Sequence, residues 1–330
     1  MTRHMARLFA SILIALLAVT AARAQEEESL RFIMVTHGPV TDGFWATVKS
    51  AAEQAAEETG TELVYRAPET FDLDRMASLV NEAVAERPDG LIVSIPNADA
   101  LAAHMRAAVD AGIPVISMNS GFDVGRSLGA LLHVGQGEYE AGRVAGEAMR
   151  ELSGTRALCL NHELGNVALD LRCKGFIDGF AGSVEVMPVP ANAEQAREAI
   201  AARLAEDSGV DIILALSATV GGAPAVEAVR ALEGRTVRVA TFDVTETVLK
   251  AVAGGAASFA IDQQPFLQGY LPVQFLTLLH RHGSVPVSNV STGPRLITEE
   301  EAKVRLERLG IVEESSSEAA SEEPAEGSGG

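Results

Sequence analysis

Two hydrophobic rhythms alternate along this chain. Short unbroken apolar runs rich in β-branched residues read as buried strands, and the longer stretches between them carry apolar positions at helical spacing. The pattern predicts strands over 32–36, 62–66, 91–94 and 115–118, separated by helices over 44–59, 72–86 (opened by Asp72 as a cap) and 98–111. The rhythm then restarts. Helices over 142–152, 169–180, 193–206 and 224–232 interleave with strands over 157–160, 184–187, 212–216 and 237–242. A strand over 259–262 leads into a helix from Pro265 to about His280, extended pieces near 285–290 and a last helix over 298–309. Gly60, Gly90 and Gly112 fall at helix ends or strand starts, where a left-handed stop is expected.

Unbroken apolar strands joined by helices imply a parallel sheet covered on both faces. A chain of 330 residues exceeds what one core usually holds, so the expected class is α/β with two doubly wound parallel-sheet lobes. The ends follow a different pattern. Arg3 and Arg7 precede an apolar run over 8–19 and the small-x-small step Ala22-Arg23-Ala24, the three parts of a secretory signal peptide, so residues 1–24 are expected to be removed. The run falls short of the ~20 apolar residues a membrane span needs. No cysteine lies near that step to carry a lipid anchor, and the expected product is a soluble exported protein. Residues 313–330 form a Ser/Ala/Gly tail with six glutamates and no apolar period, which predicts disorder.

Composition narrows the partners. The net charge of −19 becomes about −22 without Arg3, Arg7 and Arg23, which argues against nucleic acid and anionic lipid and leaves a neutral ligand open. The two cysteines, Cys159 and Cys173, suit a disulfide in an exported protein, with two buried thiols as the other reading. They do not have the spacing of a metal site, and no metal or cofactor is expected.

Ligand groups in such sheets gather beyond the carboxyl ends of the strands. There the sequence places Thr36, His37, Asp42, Phe44 and Trp45, then Asn119 and Ser120. The second half contributes Asn161, Glu163, Asn166 and Arg172, followed by Ser217, Thr219, Asp243 and Gln263. Carboxylates, amides and a guanidinium can grip adjacent hydroxyls, and an aromatic ring can stack on the apolar face of a sugar. Each also has a plainer reading: Phe44 and Trp45 as core, Asp243 as a helix cap, Arg172 paired with Asp170 or Asp178, Glu163 at a rim and His37 as a loop residue.

The strings THGPVTDGFW, GLIVSIPNADAL, AGIPVISMNS, HVGQGEYEAG, GNVALDLRCKGF, VATFDVT and FAIDQQPFLQGY occur in that order. In them the chain resembles the periplasmic sugar-binding proteins of the ribose and galactose type, from about Leu30 to Gly310. The resemblance implies the type I periplasmic binding protein fold, with two lobes joined by a three-stranded hinge. It assigns residues 29–135 plus 264–290 to one lobe and 136–263 plus 291–312 to the other. It implies a monomeric delivery subunit of an ABC importer that meets membrane permease subunits and binds a monosaccharide or polyol, pentose-like by preference; the alternative is a sensor feeding a chemoreceptor or kinase, or a binder of a non-sugar polyhydroxylated signal. The family's ligand contacts fall on Asp42, Phe44, Trp45, Asn119, Arg172, Ser217, Asp243 and Gln263, with Thr219 as the alternative to Ser217. The family's Asp-Arg pair on the fourth strand is replaced by Asn119-Ser120, and no second-lobe aromatic stands near Asn192.

An enzyme is disfavoured. Neither a G-x-G-x-x-G opening a helix nor a Walker loop occurs, so no catalytic residue is assigned. A regulator sharing the core would carry a basic DNA-reading helix pair where this chain has the apolar leader and Glu26-Glu27-Glu28.

Overall fold

The computed structural model describes residues 29–311. The expected leader (1–24) and acidic tail (313–330) lie outside the described residues.

The first sheet collects β1 (Arg31–Val35), β2 (Glu62–Arg66), β3 (Gly90–Ser94), β4 (Val115–Asn119), β5 (His133–Gly135) and β11 (Val290–Ser291) in the order β11-β5-β4-β3-β1-β2, all parallel. The second collects β6 (Arg156–Asn161), β7 (Ser183–Pro188), β8 (Ile212–Ala215), β9 (Arg238–Phe242), β10 (Phe259–Asp262) and β12 (Arg295–Ile297) in the order β12-β10-β9-β8-β6-β7. Here only β12 is antiparallel. Two doubly wound parallel sheets are therefore present, as the unbroken apolar runs implied. The chain passes from one sheet to the other three times: after β5, after β10 and after β11.

The β1 strand shows why its run is continuous. Phe32 and Met34 face a core layer with Val48 and Leu276, while Ile33 and Val35 face another with Met76 and Val80, and all four strand residues are fully buried. The helices of the first lobe are α1 (Gly43–Thr59), α2 (Leu73–Ala85) and α3 (Ala98–Asp110). Asp42, Asp72 and Asn97 cap them by accepting from Phe44, Arg75 and Ala100 backbone N–H groups. Next come α4 (Glu138–Glu151), α5 (Val167–Phe180), α6 (Ala193–Glu206) and α7 (Ala223–Arg230). The last three are α8 (Glu246–Ala253), α9 (Pro265–His282) and α10 (Glu299–Arg308).

Three differences from the hydrophobic pattern matter. Helix α4 begins a full turn before residue 142, because Glu138, Tyr139 and Glu140 make a polar first turn after Gly137, which has no side chain to cap it. Helix α8 occupies a connection to which the pattern assigns no element; at eight residues it is too short for a clear period. Gly60 and Gly112 do take positive φ, but Gly90 does not: a Cβ there would meet Leu276 Cδ1 at 2.6 Å, so packing of α9 sets that glycine.

Helices α4 and α5 cross with their backbones touching. A Cβ on Gly142 would lie 2.0 Å from the Arg172 carbonyl oxygen, and one on Gly175 would lie 1.9 Å from that of Tyr139. This contact carries the N-terminal turn of α4 against the middle of α5. There Cys159 on β6 and Cys173 on α5 are joined by a disulfide with Cα atoms 5.8 Å apart.

Candidate functional site: an acidic cleft between the two sheets

The carboxyl ends of both sheets border one cavity of about 420 Å3. All eight residues singled out as ligand contacts line it: Asp42, Phe44, Trp45 and Asn119 from the first lobe, and Arg172, Ser217, Asp243 and Gln263 from the second lobe and its crossover. No metal-holding cluster of His, Cys, Asp and Glu occurs among the described residues.

The two lobes supply equivalent corners. Asn119 ends β4 with φ 58° and Asp243 follows β9 with φ 69°. Both are left-handed, a conformation that Asn and Asp tolerate best among residues with a side chain. Such conformations persist where surrounding structure holds them, and here they stand at corresponding places in each sheet.

The first lobe forms the aromatic wall. Trp45 lies edge-on to His37 with ring centres 4.7 Å apart and to Phe44 at 5.0 Å, and Phe71 meets His37 at 5.9 Å. Phe44 and Trp45 are both core and wall: each is at most 9% exposed, and each borders the cavity. No Phe, Tyr or Trp from the second lobe lines the cavity among the described residues; Asn192 does, while capping α6. His37 is more than a loop residue. It is buried on the cleft wall, its Nδ1 is 2.8 Å from Ser94 Oγ, and its Nε2 reaches across to Asn166 Nδ2 at 3.3 Å. Burial, with the nearby Arg172 charge adding, drops its pKa to about 3. His162, which sequence reasoning missed, also lines the cavity, and burial lowers it to about 4.

The second lobe is organised around Arg172. Its Nε donates to Glu138 Oε2 at 2.6 Å, and its Nη2 donates to Glu138 Oε1 at 3.0 Å and Gln263 Oε1 at 2.9 Å. Its Nη1 donates weakly to the Leu216 carbonyl at 3.4 Å, and the guanidinium carbon sits 4.5 Å from the centre of the Phe242 ring. Four of its five N–H groups thus have protein partners. Burial opposes the charge, but Glu138, Asp243 and Glu163 outweigh it and hold the pKa above the ordinary arginine value. The partner is neither Asp170 nor Asp178. Asp170 instead accepts from Asn161, and Asp178 from the Tyr139 hydroxyl. Glu138 was missed because an acid in a helix's first turn ordinarily reads as a surface complement to the helix dipole; it is 2% exposed.

Gln263 passes the order on, since its amide nitrogen donates to Asp243 Oδ1. Gln268 on α9 links the crossovers to the first lobe: it donates to the Gln263 carbonyl at 3.0 Å and to Thr292 Oγ1 at 3.1 Å, and accepts from Asn119 Nδ2 at 3.1 Å. Burial pushes Asp243 up to about 7 against the pull of Arg172, and it pushes Glu163 up to about 7 as well. Asp42 is raised by burial too, offset by donors that include Thr219 from the opposite lobe. Ser217 lines the cavity, but its hydroxyl caps Val220, so Thr219 is the residue that faces Asp42.

Further contacts cross the cleft directly. Val167 N donates to the Pro96 carbonyl at 2.8 Å, and Asn97 Nδ2 to the Gly165 carbonyl at 3.3 Å. One string, Gly125–Gly129, spells G-x-S-x-G. Ser127 lies there on an exposed 3-10 turn with its hydroxyl bonded to the Val124 carbonyl, not on a strand-to-helix elbow.

Comparison with known proteins places this geometry. A family model described as a periplasmic binding protein domain matches residues 32–282. A xylose/arabinose-binding protein of Sulfolobus acidocaldarius is 23% identical over 291 residues, spanning 83% of this chain and 72% of its own. Among solved structures, a carbohydrate transporter from Acidothermus cellulolyticus in complex with myo-inositol superposes with a TM-score of 0.80 at 31% identity, covering 86% of this chain and 98% of that one. A periplasmic sugar-binding protein of an ABC sugar transporter from Legionella pneumophila gives 0.74 at 26% identity, covering 80% and 99%.

Proposed function

This chain belongs to the periplasmic binding protein family, and from that premise we propose that it is the exported substrate-binding subunit of an ABC sugar importer. Its ligand is a monosaccharide or polyol held between the lobes, with pentose-like compounds the first to test. The observation that carries the reading is the convergence of polar groups from both sheets, faced by Phe44 and Trp45, on a single cavity. Its volume of about 420 Å3 falls in the range of small-ligand sites, ~300–1,000 Å3. One relative named for xylose and arabinose, and one solved with myo-inositol, support a ligand of this size and chemistry.

The division into lobes 29–135 plus 264–290 and 136–263 plus 291–312 is part of this proposal, with the three crossovers as the hinge. Neither lobe alone presents all the polar groups, so ligand favours the closed arrangement by its differential affinity for it. The subunit works in the periplasm after loss of its leader, delivers ligand to membrane permease subunits as a monomer, and catalyses nothing. Asp42, Phe44, Trp45, Asn119, Arg172, Ser217, Asp243 and Gln263 are its proposed contacts, with Arg172 and Gln263 chiefly holding Asp243 in place.

A binding screen of pentoses, hexoses and cyclitols tests the reading, followed by Trp45 emission because Trp45 is the sole tryptophan. A ligand is expected to raise the melting temperature, shift that emission saturably and shrink the radius of gyration in X-ray scattering. A chain that stays indifferent to every polyol refutes the reading, and binding at constant radius refutes the hinge.

A further inference from the structure

The charge balance of the cleft is lopsided. Arg172 is the single Lys or Arg among the described residues lining it, and Glu138 already matches its charge from behind the wall. His37 and His162 are neutral at pH 7, since burial places them at about 3 and about 4. Against these stand three carboxyls on the wall, Asp42, Glu163 and Asp243, with Glu69 exposed at the rim. Burial raises Glu163 and Asp243 most; Arg172 pulls both down, while Asp42 pushes both up and Asp262 behind the wall adds to the effect on Asp243.

Hydroxyl groups can donate to these carboxylates but bring no positive charge to them. A protonated amine supplies up to three donors and the missing charge. The aromatic wall suits the same group, because the faces of Trp and Phe rings attract cations. A carboxylate or phosphate on the ligand would meet the opposite situation, with no unmatched cation to receive it.

We infer that the cleft selects a sugar or cyclitol carrying a protonated amine, received among Asp42, Glu163 and Asp243 beside the aromatic wall. This rests on the polyol-binding reading above and narrows it. Carboxyls that hold protons near neutral pH would release them as the amine arrives.

Isothermal titration of the full chain tests this with a panel in three groups. Neutral compounds are D-ribose, D-xylose, D-glucose, D-galactose and myo-inositol. The amines are D-glucosamine, D-galactosamine and an inosamine, and the acids are D-glucuronate and D-galacturonate. The expected result is an amine bound roughly tenfold or more tighter than its neutral counterpart, with the acids not bound. Titration at pH 6.5 in two buffers of different ionisation enthalpy should show proton release for the amine. Asp243→Asn, checked for folding by circular dichroism, should pull the amine-to-neutral affinity ratio toward one. A neutral compound or an acid bound as tightly as the best amine overturns this inference and leaves the polyol-binding reading standing. No binding by any member of the panel overturns both.

Discussion

Removing Glu138, which backs the cleft wall, should destabilise this protein strongly. The carboxylate is 2% exposed and meets Arg172, itself 4% exposed, through bonds of 2.6 and 3.0 Å. Glu138→Ala leaves a buried guanidinium with the Gln263 amide oxygen at 2.9 Å and a weak contact to the Leu216 carbonyl at 3.4 Å. Breaking one side of a buried pair costs about 3–5 kcal/mol, mostly as the penalty of the charge left behind. The surviving Gln263 bond, with the fields of Asp243 and Glu163, puts the expected loss at the lower end, about 3 kcal/mol. Glu138→Gln keeps the shape and one acceptor and should lose less, about 1.5–2 kcal/mol. The double change Glu138→Leu with Arg172→Leu removes both charges and should cost clearly less than the sum of the two single leucine substitutions. Urea denaturation followed by far-UV circular dichroism reads all of these, with the m-value required to stay constant. A loss under about 1 kcal/mol for Glu138→Ala, or strictly additive leucine changes, would refute the claim that this pair is a dry, mutually dependent unit.

Two further expectations concern pH and the disulfide. Asp243 and Glu163, both raised to about 7, bind more protons in the folded than in the unfolded chain between about pH 4 and 7, so their contribution is full at low pH and lost as pH rises through 7. Asp243→Asn should therefore raise the melting temperature at pH 8 relative to wild type by about 2–4 °C, equivalent to about 1 kcal/mol, with a smaller difference at pH 5. An equal change at both pH values would sink this assignment. The buried histidines work the other way: His37 and His133, lowered to about 3, and His162, lowered to about 4, withdraw stability as pH falls below 6.5. The Cys159–Cys173 bridge spans 14 residues, a loop for which the chain-entropy model gives about 3 kcal/mol. Thiol titration of unfolded, unreduced protein should find none free, and a reductant should lower the urea midpoint; two titratable thiols per chain would contradict the bridge.

Much of the architecture is legible in the sequence. Parallel strands buried on both faces read as near-continuous apolar runs, which is why residues 32–35 of β1, 91–93 of β3 and the whole of β8 stand out. The expectation that ligand groups collect at strand ends followed from that topology and pointed to residues that do share one cavity. Helix α8 and the true start of α4 were harder to read, because eight residues or a polar first turn carry little period.

The electrostatics of the site depend on which residues meet. Glu138 and Arg172 are 34 positions apart and become partners because glycines on α4 and α5 let two backbones touch. His37 and Asn166, 129 positions apart, face each other across the cleft, and Asn119 and Gln268, 149 apart, bond within the first lobe. Sequence alone determined most of the longer elements, the parallel sheets they imply and the residue types at the strand ends, since each of these rests on periodicity and local backbone preference. Tertiary packing decided which charges are matched, which histidines are neutral and which donors Arg172 still has to offer. Those properties depend on burial and on distances of a few ångströms between residues that no local pattern connects.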